Sequence, residues 1–228
     1  MGACSVPLSD IISVRPRFVR SVHLERDFYA SDAGDGYIVT RGSRSALSLL
    51  ARGVDEPAYR AQCLSGPYGS GKSALALYFA RLMDGTSNGG LRQEARHSLG
   101  DTAGRLIPWD SSGYVTVLAT GTRESIGACL IRGLEKSLQN SGRAQVLQKL
   151  RAKHRLAFAG REVVTRQVVA LFEDLAESAV RDAGCSGLII IVDELGKLLE
   201  YTALHHEDSD IQMLQELAEA AARSHQYP

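Results

Sequence analysis

Two runs of apolar residues have the length and composition of buried β-strands. One is Tyr114–Ala119, and the other, Leu188–Val192, is an unbroken aliphatic run typical of a strand covered on both faces of a sheet. A shorter run at Ala61–Ser65 predicts a third buried strand, and Tyr37–Thr40 fits either a strand or an extended segment. We therefore expect strands that are spread along the chain.

The segments between the predicted strands carry the three-to-four-residue apolar spacing of amphipathic helices. The clearest example is 162–182, and Ser43 is a suitable N-cap for a helix over 43–52. Residues 84–112, rich in Gly, Ser, Asp and Asn, instead predict a flexible surface excursion. Strands alternating with helices indicate an α/β fold, with a parallel sheet flanked by helices. Further helices are expected over about 75–82, 124–140, 143–157 and 209–223; the apolar stripe of 162–182 contains Val164, Val168, Leu171, Phe172, Leu175 and Ala179, and that of 209–223 contains Ile211, Leu214, Leu217 and Ala221.

Composition narrows the class of protein. The chain has 228 residues, of which 44% are hydrophobic and 23% charged, which is typical of a globular protein large enough for one domain. Its formal net charge is zero, so no global field draws it to nucleic acid or to a membrane. The four cysteines form no C-x-x-C pair, and no apolar stretch approaches the roughly 20 residues of a membrane span. We expect a cytoplasmic protein without a membrane partner.

The sequence Gly66-Pro-Tyr-Gly-Ser-Gly-Lys-Ser73 matches the phosphate-loop pattern G-x-x-x-x-G-K-[ST] without deviation. Its glycines let successive backbone N–H groups point at phosphate oxygens, and the N-terminus of the following helix favours an anion. Lys72 is expected to reach the β- and γ-phosphates and to act in catalysis, and Ser73 to ligate Mg²⁺. The alternative is a Gly-rich turn before a helix, and the strand and helix expected on either side weigh against it. The predicted nucleotide-binding residues are Gly66, Pro67, Tyr68, Gly69, Ser70, Gly71, Lys72, Ser73 and Ala74.

The aliphatic run 188–192 ends in two carboxylates, Asp193 and Glu194. In P-loop proteins an aspartate beside the loop holds Mg²⁺, and parallel sheets bind ligands at the carboxyl ends of their strands. We expect Asp193 to share Mg²⁺ with Ser73, and Glu194 to be the general base that orients the attacking water. The alternative, that the two acids only begin the next helix, stands for the run alone and is weakened by the phosphate loop upstream.

Three polar residues follow the strand predicted at Tyr114–Ala119. Because this strand should lie near the Asp-Glu strand, Thr120, Thr122 and Arg123 are candidates to touch Glu194 or the γ-phosphate. A strand-to-helix loop capped by threonine is the simpler interpretation for each. The sequence contains neither an Asn-Lys-x-Asp guanine-reading motif nor an LSGGQ-like transporter signature, so ATP is the nucleotide expected.

Two further segments favour a simple interpretation. His205–Asp208 contains metal-ligating side chains without the spacing of a metal site, which predicts a solvated loop. The basic stretch 143–166 predicts a solvated helix face, with a nucleic-acid or protein-partner surface as the alternative.

Four segments together resemble the N-terminal part of large bacterial AAA+/STAND-like P-loop ATPases, some of them encoded in phage-defence loci. They are 20–28, 36–40, 66–74 and 192–201, and the tail 214–224 is also similar to that family. The resemblance spans roughly 18–224, and only the two nucleotide motifs are highly specific. The resemblance implies a catalytic-glutamate P-loop NTPase that binds ATP and Mg²⁺. It further implies an oligomeric or conformational switch, with partners among homo-oligomer subunits, other subunits or further C-terminal domains.

A complete core of this family continues past the Asp-Glu helix with a strand bearing a polar sensor residue, another strand and a helical lid. We therefore expect a core that is incomplete at its C-terminal end. The expected organisation is a lead-in segment at 1–40 and a P-loop ATPase core at 41–228, with a helical insertion at about 141–183.

The leading hypothesis is a Mg²⁺-dependent ATPase that drives a conformational or assembly switch, with antiviral defence as its expected setting. The first alternative is a nucleotide-gated interaction module that binds ATP without turnover. A small-molecule or nucleoside kinase is a further alternative, against which the Asp-Glu strand end argues.

Overall fold

The two long apolar runs form a parallel two-stranded sheet among helices, so the chain has an α/β fold. The structure is a computed structural model that describes residues 7, 20–85, 89–108, 112–159, 164–205 and 209–224. The elements up to the first strand are α1 (Leu24–Asp27), α2 (Arg41–Asp55), a 3₁₀ turn (Pro57–Tyr59), α3 (Lys72–Met83), α4 (Gly89–Leu99), α5 (Asp101–Leu106) and β1 (Tyr114–Thr120). They are followed by α6 (Ile126–Asn140), α7 (Ala144–Lys153), α8 (Arg155–Phe158), α9 (Thr165–Ala183), β2 (Gly187–Asp193), α10 (Leu195–His205) and α11 (Ser209–Arg223).

The strands β1 and β2 run in the same direction. Tyr114 lies opposite Gly187 and Thr120 lies opposite Asp193, so the carboxyl ends of both strands meet at one edge of the sheet. Parallel neighbours need a long crossover connection, and α6 to α9 form it. These positions confirm the strands predicted from the two long apolar runs.

Successive side chains of each strand pack against opposite helical layers, because strand side chains alternate between faces. On one face, Val117 and Ile190 pack with apolar side chains of α6, α7, α9 and α11. On the other face, Leu118 and Ile191 pack with α1 and α3, and Ile189 packs with the cluster of α2 to α5. Both faces of β2 therefore meet helices, but its residues after Gly187 are only half-buried, so the full burial that its aliphatic sequence predicts is not reached.

The two outer edges of this sheet differ. Side chains close the outer edge of β1, where Leu118 N donates to Ser137 Oγ at 3.0 Å and Thr120 N donates to Glu25 Oε1 at 2.8 Å. No strand in the described ranges pairs with the outer edge of β2, and all its residues after Gly187 are half-buried. An unpaired strand edge presents a row of backbone donors and acceptors, so among the described residues the sheet is open on the β2 side.

The helix α2 begins earlier than predicted, and Thr40 rather than Ser43 is its N-cap. Ser43 N donates to Thr40 Oγ1 at 3.2 Å, and Thr40 N donates to Ser43 Oγ at 2.8 Å. This reciprocal pair is a capping box, which satisfies two otherwise unpaired backbone donors. The prediction of Ser43 as N-cap is therefore wrong, because Ser43 is the third helical residue and closes the box from inside.

The buried strand predicted at Ala61–Ser65 is also wrong. All five residues are exposed, and they pair with no strand of the described chain. The Gln62 side chain instead donates to the carbonyl of Tyr59 at 2.7 Å. Leu64 is the one large aliphatic residue here, and no neighbouring strand takes the backbone hydrogen bonds, so the segment stays an exposed connection. Tyr37–Thr40 likewise lies outside any strand.

The flexible excursion predicted over 84–112 is wrong for its described part, which α4 and α5 largely occupy. These helices bury Leu91, Ala95, Leu99 and Leu106. The first three are spaced four residues apart and form a narrow apolar stripe. The Gly, Arg and His residues around them obscure this stripe in the sequence. Residues 86–88 and 109–111 lie outside the described ranges.

The other predicted helices are confirmed as α3, α6, α7, α9 and α11, and α8 continues the basic helical stretch. Two members of their predicted apolar stripes are exceptions. Val164 is the N-cap of α9 and is 52% exposed, and Ile211 in the first turn of α11 is 61% exposed. A residue at the end of a helix has neighbours on one side only, so spacing alone overestimates its burial. Residues 162 and 163 of the predicted helix 162–182 lie outside the described ranges.

The described part of the lead-in contains α1, which packs into the core. Leu24 and Phe28 are buried in one cluster with Leu77 of α3. Tyr37 stacks on Tyr78 of the same helix, with ring centroids 4.5 Å apart. These contacts join the lead-in to the helix that follows the phosphate loop.

Candidate functional site

The phosphate-loop residues form an exposed turn that leads into α3. Gly69 and Gly71 have φ angles of 76° and 85°, in the left-handed region that glycine adopts without steric cost. Ser70 N donates to Pro67 O at 3.3 Å, which curls the chain, and residues 61–70 are all exposed. A Cβ at either glycine would meet nothing within 4 Å, so glycine is needed here for conformation rather than for space.

Lys72, predicted to bind phosphate, folds back onto its own loop. Its Nζ donates to the carbonyl oxygens of Gly66 and Pro67, each at 2.9 Å. A phosphate group at this loop would compete with the two carbonyls for the ammonium group. The Lys72 ammonium group therefore already donates its hydrogen bonds within the loop.

The first turn of α3 contains the other predicted ligands. Ser73 and Ala74 are half-buried, whereas Tyr68 on the loop is 96% exposed. The N-cap, Gly71, has no side chain to accept from the first-turn N–H groups. Uncapped donors at a helix N-terminus favour an anion, so this end of α3 is suited to phosphate.

Helix α3 runs against the direction of the strands. Just after its C-terminal end, Asp84 forms a β-bridge with Gly113, immediately before β1. Nearer its N-terminus, Leu77 lies in one apolar cluster with Leu118 and Ile191, which are close to the ends of their strands. The start of α3 therefore points toward the edge at which β1 and β2 end.

The two predicted carboxylates lie at that same edge. Asp193 ends β2 and is half-buried; its carbonyl accepts from Gly121 N at 2.8 Å, and its Oδ1 accepts from Glu194 N at 2.9 Å. The Glu194 side chain is 44% exposed, and its Oε2 lies 3.5 Å from Lys197 Nζ. Ser73 and Asp193 thus lie on elements that converge on one edge of the sheet, and Glu194 directly follows Asp193 there.

The backbone of Glu194 is strained. Its φ is 56°, and it is the one non-glycine residue with positive φ in the part of the chain that the structure describes. For a residue with a Cβ this conformation costs about 1–2 kcal/mol. Strain of this kind concentrates at functional sites, where the surrounding structure holds it.

The residues predicted to touch Glu194 from the loop after β1 make no hydrogen bond or ion pair with it within the described ranges. Thr122 Oγ1 donates to a carboxylate of its own loop at 2.7 Å, and Arg123 is exposed. Thr120 Oγ1 is buried without a hydrogen-bond partner in the described structure. Gly121 is the loop residue that packs against Glu194, and a Cβ on it would lie 2.6 Å from the Glu194 carbonyl oxygen.

An ion-pair network holds this loop from the side opposite β2. Arg132 donates to Thr120 O at 2.8 Å and to Glu124 Oε1 at 2.7 Å. Glu25 accepts from Arg132 and from Lys136, each at 2.9 Å. Burial by itself raises the pKa of Glu25, but hydrogen bonds from Lys136, the Thr120 N–H group and Arg132 outweigh it and lower the pKa below its ordinary value. The ionised Glu25 therefore ties α1 to the end of β1.

No three His, Cys, Asp or Glu side chains form a metal-ligand cluster in the described ranges. The predicted pair Ser73 and Asp193 offers oxygen atoms, the ligand type that Mg²⁺ prefers, and the magnesium site stays a prediction. His205 stacks on Tyr201 with ring centroids 3.9 Å apart. The remainder of the predicted solvated loop, 206–208, lies outside the described residues.

The basic stretch 143–166 is partly neutralised by acidic neighbours. Arg151 pairs with Glu135, and Lys153 Nζ lies 2.6 Å from Asp174 Oδ2. A nucleic-acid surface on this stretch stays a prediction.

Across the described ranges, the structure contains no helix with both the length and the apolar character needed to cross a membrane.

No protein-family model, curated protein or solved structure matches the chain. Its relation to AAA+/STAND-like ATPases therefore stays a resemblance in four segments and the tail, and the function is inferred from motifs and geometry.

Sequence reasoning missed four residues around the site. Lys197 lies one helical turn after Glu194, and this spacing is a readable signal for an ion pair. Gly121 directly follows a predicted strand, which hints at a close backbone approach. Glu25 and Arg132 are 107 positions apart, and no local pattern in the sequence joins them.

Proposed function

We propose that this chain is a Mg²⁺-dependent P-loop ATPase domain that binds and hydrolyses ATP. The observation that carries the proposal is the convergence of two motifs on one edge of the sheet. A phosphate-loop sequence opens the uncapped α3, and α3 begins toward the edge where β2 ends in Asp193 and Glu194. A Gly-rich turn alone accounts for the uncapped helix, but it does not account for two carboxylates at the same edge.

The residues at this edge fit distinct roles. The loop amides and Lys72 bind the phosphate oxygens, with Lys72 exchanging its two loop carbonyls for phosphate. Ser73 and Asp193 supply oxygen ligands to Mg²⁺, which neutralises charge on the β- and γ-phosphates when bound. Glu194 accepts the proton of the attacking water, and its exposed carboxylate is accessible to solvent.

The resemblance to AAA+/STAND-like ATPases extends this proposal. On that basis ATP binding and hydrolysis drive a conformational or assembly switch, in a homo-oligomer or with further domains or subunits, in bacterial phage defence. Because Leu24 and Phe28 of the lead-in pack directly on α3, a movement at the phosphate loop has a physical route to the N-terminal segment.

One observation favours a second candidate, a nucleotide-gated interaction module without turnover. The Glu194 carboxylate lies 3.5 Å from Lys197 Nζ, so it already has a partner other than an attacking water. In this alternative, ATP binds through Lys72 while the pair of Glu194 and Lys197 persists.

The deciding experiment measures ATP affinity and Mg²⁺-dependent phosphate release for the chain and two variants. We expect Lys72→Ala to weaken ATP binding by about 10- to 150-fold, because a charge-assisted hydrogen bond contributes roughly 1.5–3 kcal/mol. Glu194→Gln should retain ATP binding and slow turnover by about 10²- to 10⁴-fold, the usual range for a lost general base.

Matched controls remove the same charges elsewhere. Lys149→Ala and Glu200→Gln alter exposed residues of α7 and α10 and should change neither quantity. ATP binding that depends on Lys72, with no phosphate release by the unaltered chain, would select the interaction module. No ATP binding by the unaltered chain would reject both candidates.

A further inference from the structure

The loop after β1 lies against the backbone of the Asp-Glu pair. Gly121 N donates to Asp193 O at 2.8 Å. A Cβ on Gly121 would lie 2.6 Å from Glu194 O and 2.9 Å from Leu198 Cγ, closer than side chains approach such atoms. The φ of Gly121 is not in the left-handed region, so glycine is required at this buried position for space alone.

This close contact bears on the one strained residue of the site. Glu194 has a φ of 56°, a conformation that relaxes unless its neighbours hold it. Its N–H group is held by Asp193 Oδ1 at 2.9 Å, and its carbonyl group lies against Gly121. Both sides of the Glu194 backbone are therefore in contact with fixed groups.

The loop is in turn fixed from outside the site. Arg132 holds the Thr120 carbonyl at 2.8 Å and the Glu124 carboxylate at 2.7 Å. Glu25, 7% exposed at its side chain, anchors Arg132. A loop held in this way resists displacement, so it can impose a conformation on the residue that it touches.

We propose that Gly121 is a positioning residue for Glu194. The close approach of the Gly121 backbone holds Glu194 in its left-handed conformation and thereby sets the direction of the Glu194 carboxylate. This inference rests on the proposed function for its catalytic consequence. The structural part of the inference is that Gly121 determines the surroundings of the Glu194 carboxyl group. This part can be measured without nucleotide.

The first test compares Gly121→Ala with Gly133→Ala. Gly133 makes an equally close approach to β1, because its Cβ would lie 2.7 Å from Leu118 O and 2.8 Å from Ala119 Cβ. Its neighbours do not include Glu194, so Gly133→Ala controls for crowding at the sheet. We expect Gly121→Ala to lower kcat by about 10- to 100-fold, with ATP affinity within about 3-fold of the unaltered chain, since small misplacements of reacting groups cost this much. Gly133→Ala should lose thermal stability and keep kcat in the folded protein.

An unchanged kcat in Gly121→Ala, or an equal loss of kcat in both variants, would overturn the inference. A second readout separates it from the proposed function. In the nucleotide-free chain at neutral pH, ¹³C-labelled glutamate carboxyls are observed by NMR, and the Glu194 signal is assigned by its absence in Glu194→Gln. We expect Gly121→Ala to change the chemical shift of the Glu194 carboxyl carbon, and Gly133→Ala to leave it unchanged. A Glu194 signal unaffected by Gly121→Ala would overturn the inference even in a chain that binds no ATP.

Discussion

Replacing Glu25 by glutamine removes the negative charge from the centre of the network that closes the outer edge of β1. The Glu25 side chain is 7% exposed, whereas its partners Arg132 and Lys136 are 30% and 51% exposed. Breaking a fully buried pair costs about 3–5 kcal/mol, and the exposure of the two cations reduces this. We expect Glu25→Gln to lower the free energy of unfolding by about 2–3 kcal/mol.

Urea denaturation measures this change as a lower transition midpoint at constant slope. In a thermal scan the melting temperature should fall by roughly 4–12 °C, since each kcal/mol shifts it by about 2–4 °C in a chain of this size. Lys136→Met is the matched control, because it removes one exposed partner and leaves the Arg132 pair intact. It should cost less than about 1 kcal/mol.

The pH dependence adds a signature that is specific to charge. The folded pKa of Glu25 lies below its ordinary value of 4.5, so the carboxylate stabilises the fold above pH 4.5. This contribution is lost as the pH falls from 4.5 through the lowered pKa. The stability difference between the unaltered chain and Glu25→Gln should therefore shrink in acid. A difference that is constant with pH, or no larger than that of Lys136→Met, would refute the reasoning.

Two further predictions concern the ion pair between the end of α7 and α9, and the C-terminal end of α11. Asp174 is held by Lys153 and His154; burial raises its pKa, but these hydrogen bonds outweigh burial and place the pKa below 3.8. Asp174→Asn should therefore lower stability at pH 7, by an amount that disappears as the pH falls below 3.8, and urea titrations at several pH values would measure it. Arg60 donates to the carbonyl of Ala221 at 3.2 Å and to that of Ser224, at the C-terminal end of α11. Arg60→Met should cost about 1–2 kcal/mol and speed hydrogen exchange in the last turn of α11, and unchanged exchange there would contradict a capping role.

The strands and long helices could be predicted because their patterns report burial directly. Leu188–Val192 has no polar residue, and its side chains meet a helical layer on each face. The predictions from sequence are wrong where the neighbours of a segment, rather than its own residues, determine its structure. Ala61–Ser65 has the composition of a short strand but no paired neighbour, and the stripe of Leu91, Ala95 and Leu99 is too narrow to outweigh the polar residues around it.

The motifs single out Lys72 and Asp193 from spacing alone, and their roles in binding ATP and Mg²⁺ stay predictions. The contacts of the candidate site could not be read from the sequence. The pairing of Lys72 with its own loop carbonyls and the left-handed backbone of Glu194 depend on backbone geometry that no residue pattern specifies. The contact of Gly121 with Glu194 depends on the register between β1 and β2, which is a property of the folded sheet.

Because the two outer edges of the sheet differ, a further strand could pair with β2 more easily than with β1. On the β1 side, Glu25 and Ser137 already occupy backbone donors, so an added strand would have to displace them. On the β2 side, no strand of the described residues pairs with the backbone, so an added strand would lie between two helical layers. Because β2 ends in Asp193, a strand added in parallel there would end at the same edge as the candidate site. A partner that supplied such a strand would therefore contact the edge at which Asp193 and Glu194 lie.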